Sequence, residues 1–122
     1  MRYLLDSVIV IDHFNGIARA TDFLREHGND CALSVVTRAE VLAGFDADAA
    51  QMASGLLDLF PTLPLDADAA DRAASLRRSK HLKLPDAFQA AVALQHGLAL
   101  VTRNTRDFRG KGLPEVLVPY RL

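Results

Sequence analysis

The side chains best suited to chemistry in this chain are acids standing beside apolar runs. Asp6 ends Tyr3-Leu4-Leu5, Glu40 closes Thr37-x-x-Glu40, Asp86 follows Leu84-Pro85, and Asp107 precedes Phe108. Each has a plain structural reading. Asp6 suits a helix cap, Glu40 the far end of a capping box, and Asp86 a macrodipole partner in a first helical turn. Asp107, with Thr102 and Asn104, suits a turn. If the helix carrying Glu40 starts at Ser34 instead, Glu40 is interior, at the edge of an apolar stripe where a carboxylate wants a cation. Taken together the acids say more. Carboxylates packed side by side raise one another's pKa unless a cation neutralises them. Asp, Glu, Asn and Thr offer the hard oxygen donors that suit Mg²⁺ or Mn²⁺. Other chemistries lack their residues. His13, His27, His81 and His96 are scattered, and neither Cys-x-x-Cys nor His-Glu-x-x-His spacing occurs, which argues against zinc. Gly16, Gly28, Gly44, Gly55 and Gly97 stand alone, without a phosphate-cradling loop, and there is no Gly-x-Ser-x-Gly elbow for a serine hydrolase.

The elements that must position these acids follow from apolar patterning and punctuation. Tyr3-Leu4-Leu5, Cys31-Ala32-Leu33, Leu98-Ala99-Leu100-Val101 and Val116-Leu117-Val118 read as short buried strands. Between them, helices are expected over Val8–Phe14, Ala18–Glu26, from Ser34 or Thr37 to about Gly44, from Asp46 to about Leu59, and from Asp66 to about Ser79. The last runs over Ala87–His96, opened by Leu84-Pro85-Asp86 with proline in the first turn and ended by Gly97. Two prolines limit Pro61–Leu65 to a short extended piece. The Ala87–His96 helix is apolar nearly all round and is expected at the centre of the core. Strands apolar on both faces, alternating with helices, predict a three-layer α/β/α domain with a central, mainly parallel sheet. Such sheets bind ligands beyond the carboxyl ends of their strands. Asp6 falls at one such end, and Thr102, Asn104 and Asp107 follow another.

The 122 residues suffice for one domain spanning 1–122. Half are hydrophobic and 24% are charged, an ordinary globular balance. The net charge of −1 excludes a strongly basic coat or an acidic tail. It conceals a polarity along the chain, because residues 1–61 sum to −5 and residues 62–122 to +4. Cys31 is the single cysteine, so no internal disulfide forms, and it reads as a small apolar strand residue. Asp6 interrupts any signal-peptide core, and no apolar run approaches the roughly 18 residues of a membrane span. A cytoplasmic protein without membrane association is expected.

Four stretches in this order, over nearly the whole length, resemble one family. They are Leu4-Leu5-Asp6-Ser7, Leu33-Ser34-Val35-Val36-Thr37-Arg38-Ala39-Glu40-Val41-Leu42-Ala43-Gly44, Leu84-Pro85-Asp86-Ala87-Phe88-Gln89-Ala90-Ala91-Val92-Ala93, and Leu100-Val101-Thr102-Arg103-Asn104-Thr105-Arg106-Asp107-Phe108. They are similar to PIN-domain ribonucleases, specifically VapC-type toxins of type II toxin–antitoxin pairs. The resemblance implies a PIN-like fold and an Mg²⁺- or Mn²⁺-dependent endoribonuclease. It matches Asp6, Glu40 and Asp86 to metal-binding catalytic acids. For the fourth position Asp107 and Asn104 compete; Asp107 is favoured as the acid, with Asn104, Thr102 and Ser7 as polar support. RNA, often tRNA or another structured RNA, is the implied substrate. A VapB-like antitoxin that blocks the site is the implied partner, within a homodimer doubled again on antitoxin binding.

In that light the basic half has a use. Arg77, Arg78, Lys80, His81 and Lys83 precede Asp86, while Arg103, Arg106, Arg109 and Lys111 surround Asp107. An RNA backbone beside the acids needs such cations, although the same charges can simply solvate a helix end and a loop. Aromatic residues are too few for stacking to carry recognition. Met52, Leu56 and Leu57 give the Asp46–Leu59 helix more apolar residues than one buried face requires; they are core or, by resemblance, an antitoxin groove. Among rivals, a haloacid-dehalogenase-like phosphatase needs a second aspartate where Val8 stands. A response-regulator receiver needs an acidic pair after the first strand and a late lysine, both missing. A catalytically inactive PIN-like module binding RNA or protein remains the alternative.

Overall fold

The apolar runs become five short strands, and alternation of side chains across them builds two cores. The computed structural model describes residues 1–122. Its elements are β1 (Tyr3–Leu5), α1 (Ser7–Phe14), α2 (Ala18–His27), β2 (Cys31–Ser34), α3 (Val35–Ala43) and α4 (Ala47–Leu57). There follow β3 (Thr62–Leu63), α5 (Ala67–Lys80), α6 (Leu84–His96), β4 (Ala99–Val101) and β5 (Val116–Leu117). The sheet order is β3-β2-β1-β4-β5. Every pairing is parallel, with Tyr3 opposite Cys31, Leu4 opposite Leu100, Leu33 opposite Thr62 and Val101 opposite Leu117.

Successive strand residues point to opposite faces. Leu4, Ala32 and Leu100 therefore meet α5 and α6, packing on Ala69, Ala73, Ala90 and Val92. Tyr3, Leu5, Leu33 and Val101 face the other way and pack on Ile9, Phe23, Val41 and Leu57 from α1 to α4. This is a helix–sheet–helix sandwich. Leu5 and Leu100 are fully buried, each contributing roughly 1.5–3 kcal/mol. The alanine-rich face of α6 explains its central place, since small side chains let α5 and the sheet approach closely.

Helix starts follow the polar punctuation. Asp6, Ser34, Asp46 and Asp66 accept from backbone N–H groups of Ser7, Thr37, Ala49 and Ala69, satisfying donors a helix leaves free. Ser34 is thus the α3 cap, and Glu40 stands inside the helix rather than in a capping box. α6 ends at Gly97 in the left-handed region, φ 65°. Leu98 bonds back to Ala93 in that exit, so β4 begins one residue later than the apolar run suggested. α4 stops at Leu57, two residues short of expectation. Cys31 is buried, its thiol donating to the His27 carbonyl at 3.2 Å. No helix is long and apolar enough to cross a membrane.

Candidate active site at the carboxyl end of the sheet

β1 lies at the centre of the sheet, with β2 on one side and β4, reached much later in the chain, on the other. The reversal of strand order opens a crevice beyond the carboxyl ends of β1 and β4. Asp6 follows β1 directly and is 7% exposed. Its Oδ1 accepts from the Ser7 N–H at 2.8 Å and its Oδ2 from the Thr102 hydroxyl at 2.6 Å. Asp6 therefore fulfils the capping reading while its carboxylate is also fixed across the crevice. Thr102, fully buried after β4, in turn accepts from the Asn104 N–H at 3.0 Å. Asn104 donates to the Asp107 carboxylate at 2.9 Å. A relay of short polar links thus runs from the buried acid to the exposed one.

Asp86 occupies the first turn of α6. Burial pushes its carboxyl up to about 6, and the charges of Asp6, Asp107 and Glu40 push in the same direction, with Lys83 opposing. One side chain therefore feels the three other acids, which come from three separate segments. Glu40, on α3, is raised by burial and by Asp6, while the Ser7 hydroxyl pulls the other way. The acids are coupled through charge, although no three stand close enough, as placed, to hold one ion. The donor set is nonetheless all oxygen, and like charges gathered in a partly dehydrated crevice call for a divalent cation. None of the four lines a cavity; the largest, about 530 Å³, lies between α2 and the C-terminal segment. Asp6 lies buried at the base of a shallow crevice, with Asp86 half-buried and Glu40 and Asp107 exposed.

The two basic stretches meet at one corner of the fold. Lys80, at the end of α5, lies over the turn at Gly110 and Gly112, both at positive φ. That contact brings the α5–α6 corner against the loop after β4. Arg78, Lys83 and Arg106 are exposed. Arg77 is exposed as well, though its guanidinium also donates to the Leu82 carbonyl at 2.8 Å. Arg103 differs. It makes a two-pronged pair with Asp12, Nε to Oδ2 at 2.7 Å and Nη2 to Oδ1 at 3.0 Å. The Tyr120 hydroxyl donates to the same carboxylate at 2.7 Å. Its guanidinium is spent internally, so Arg103 is withdrawn from the expected RNA contacts.

The expected groove residues also separate. Ala53, Leu57 and Phe60 form the buried stripe at helical spacing, and Leu57 is fully buried. Leu57 is core and lines no groove. Met52 and Leu59 are left 82% and 76% exposed. Leu56 and Leu59 border an apolar cavity of about 290 Å³ with Leu24 and Phe60. Two elements of the site escaped the sequence reading. Gln89 is buried on α6 and reaches towards Asp6 at 3.4 Å; its signal was a lone amide in an alanine-rich run. Asp12 is a buried acid within the apolar run of α1, which by itself asks for a cationic partner.

Comparison with known proteins places these features in context. The PIN domain family model matches residues 3–112. No curated relative matches the chain. A toxin–antitoxin complex from Klebsiella pneumoniae contains a chain 37% identical, with TM-score 0.86 over 98% of this chain and 99% of that one. FitAcB from Neisseria gonorrhoeae is 26% identical, with TM-score 0.81 over 98% and 99%. VapBC2 from Rickettsia felis, bound to a DNA fragment from its promoter, shares the fold at 19% identity, with TM-score 0.80 over 96% and 98%.

Proposed function

Since the chain belongs to the PIN domain family as a VapC-type member, we propose that it is a metal-dependent endoribonuclease toxin restrained by a VapB-like antitoxin. The observation that carries this reading is the hydrogen-bonded chain from Asp6 through Thr102 and Asn104 to Asp107 at the strand-order reversal, with Asp86 in the first turn of α6. Asp6, Asp86, Glu40 and Asp107 are the residues that would hold Mg²⁺ or Mn²⁺. When bound, such an ion acidifies water and neutralises charge on a phosphodiester. Asp6 is the most firmly oriented ligand, because Ser7 and Gln89 donate to its Oδ1 and Thr102 to its Oδ2, which keeps a lone pair free. Glu40, exposed and held above the ordinary glutamate range, is the candidate to accept the proton of the attacking water. Asp107 takes the fourth place, since Asn104 is occupied in bracing it.

A shallow crevice with exposed acids at its rim suits a polymer better than a small substrate, which proteins usually enclose. Arg77, Arg78, Lys80, Lys83 and Arg106 would lie along the RNA backbone. The antitoxin is assigned to the opposite flank, against Met52, Leu56 and Leu59, with the protein acting in the cytoplasm as a homodimer. The test is cleavage of end-labelled RNA by purified protein with Mg²⁺ or Mn²⁺. Asp6→Asn and Asp86→Asn should each lose at least about 100-fold in rate while remaining folded, since each removes a proposed ligand. Undiminished cleavage by both variants, with contaminating nuclease excluded, refutes the assignment.

A further inference from the structure

Gln89 is 1% exposed in an α6 face otherwise made of Ala87, Ala90, Ala91, Val92 and Ala93. A buried amide persists there only if its donors and acceptor are all answered. They are, and the directions are set by groups that cannot reverse. The Leu5 carbonyl can only accept, so the Thr37 hydroxyl donates to it, at 3.0 Å. Thr37 must then accept from the atom of Gln89 it faces, which is therefore the amide nitrogen, 2.5 Å away. At the other end, the Thr37 N–H can only donate, and Ser34 Oγ receives it at 3.2 Å. The Ser34 hydroxyl proton is thereby free to donate to Gln89 Oε1 at 2.6 Å. With its oxygen held by Ser34 and one N–H held by Thr37, Gln89 has a single remaining N–H, directed at Asp6 Oδ1 at 3.4 Å. This is the one side-chain hydrogen bond between α6 and Asp6, and Asp86 lies three residues earlier on the same helix. Residues three apart share a helix face.

We propose that Gln89 is a positioning residue for the metal site, setting the Asp6 carboxylate relative to Asp86 through an amide oriented by Thr37 and Ser34. The proposal rests on the metal-site reading above. Groups one contact removed from a ligand commonly change metal affinity 10–100-fold when lost. The test measures Mn²⁺ dissociation constants by electron paramagnetic resonance of the free ion, with melting temperatures taken in metal-free buffer. The set is parent, Asp6→Asn, Gln89→Met, Thr37→Val and Thr37→Ser. Gln89→Met and Thr37→Val should weaken Mn²⁺ binding by about ten-fold. Thr37→Ser keeps the hydroxyl and loses a buried methyl, so it should melt lower yet bind Mn²⁺ within about two-fold of parent. Affinity would then follow the hydroxyl and not the stability. Parent-like affinity in Gln89→Met and Thr37→Val overturns the proposal, as does affinity that tracks melting temperature across the set. If Gln89→Met does not fold, the Thr37 pair decides. If the parent shows no Mn²⁺ site sensitive to Asp6→Asn, the metal reading falls and this proposal with it.

Discussion

Replacing Arg103 by Met should destabilise the protein by about 3 kcal/mol, the lower end of the range for breaking a buried ion pair. The Asp12 side chain is 8% exposed and that of Arg103 31%, so solvent screens the arginine but scarcely reaches the acid. Two of the three donors to the Asp12 carboxylate come from Arg103. Methionine fills most of the volume and supplies none. In a domain of this size about 1 kcal/mol shifts the melting temperature by roughly 3–5 °C, so a fall of about 10 °C is expected. In Asp12→Leu/Arg103→Met no buried charge is stranded, although the Tyr120 hydroxyl loses its acceptor. The double variant should therefore recover about half of the loss. Burial opposes ionisation of Asp12, but the hydrogen bonds from Arg103 and Tyr120, with the arginine's charge, outweigh it and hold the carboxyl below its ordinary value. A depressed folded pKa gives stability that is present above the unfolded value of about 3.9 and is lost as pH falls through the folded one. The gap between parent and double variant should accordingly hold from pH 7 to about 5 and narrow only as pH falls below about 4. Thermal denaturation across that range is the assay. A loss under about 0.5 kcal/mol in Arg103→Met, or a double variant as unstable as the two singles combined, refutes the pairing argument.

Asp86→Asn should raise the metal-free melting temperature at pH 8 by roughly 3–5 °C, about 1 kcal/mol after discounting for partial exposure. Asp86 is raised to about 6, so its destabilisation is complete above that pH and fades as pH falls towards 4; the variant's advantage should fade with it. Millimolar Mg²⁺ should narrow the gap by stabilising the parent alone, and an advantage that ignores both pH and Mg²⁺ would contradict the crowded-acid reading. Arg78→Glu/Arg106→Glu should weaken RNA binding and flatten its salt dependence by roughly two units of slope or more, as measured by fluorescence anisotropy at several ionic strengths. Leu59→Asp should weaken antitoxin binding at least about ten-fold in calorimetry without lowering stability, because the side chain is 76% exposed. Leu57→Ala should instead cost about 2–5 kcal/mol in thermal denaturation, as a core residue.

The layers were legible because each rests on a local signal. Tyr3-Leu4-Leu5 and Leu100-Val101 are apolar on both faces, so they had to lie between two helical layers, and the caps at Ser34, Asp46 and Asp66 announce themselves by residue type. The acids were visible as candidates for the same reason. What escaped depends on pairings between distant segments. Nothing around Arg103 shows that Asp12, on α1, will claim it before a phosphate can. The amide of Gln89 acquires its direction only when β1, α3 and α6 close around it. For Leu57 the core reading holds and the groove reading fails on helical phase, where one residue separates the buried stripe from the exposed Met52 and Leu59.

The strand order has a consequence for synthesis of the chain. Asp6 and Glu40 emerge early, but Thr102, which fixes Asp6, follows 96 residues after it, and β1 waits for β4 to occupy its second edge. Pairings of such long separation form late. A growing polypeptide on the ribosome therefore carries its acids without an assembled centre until nearly all of it has been translated. A truncated translation product ending before β4 would lack Thr102 and with it the hydrogen bond that fixes Asp6.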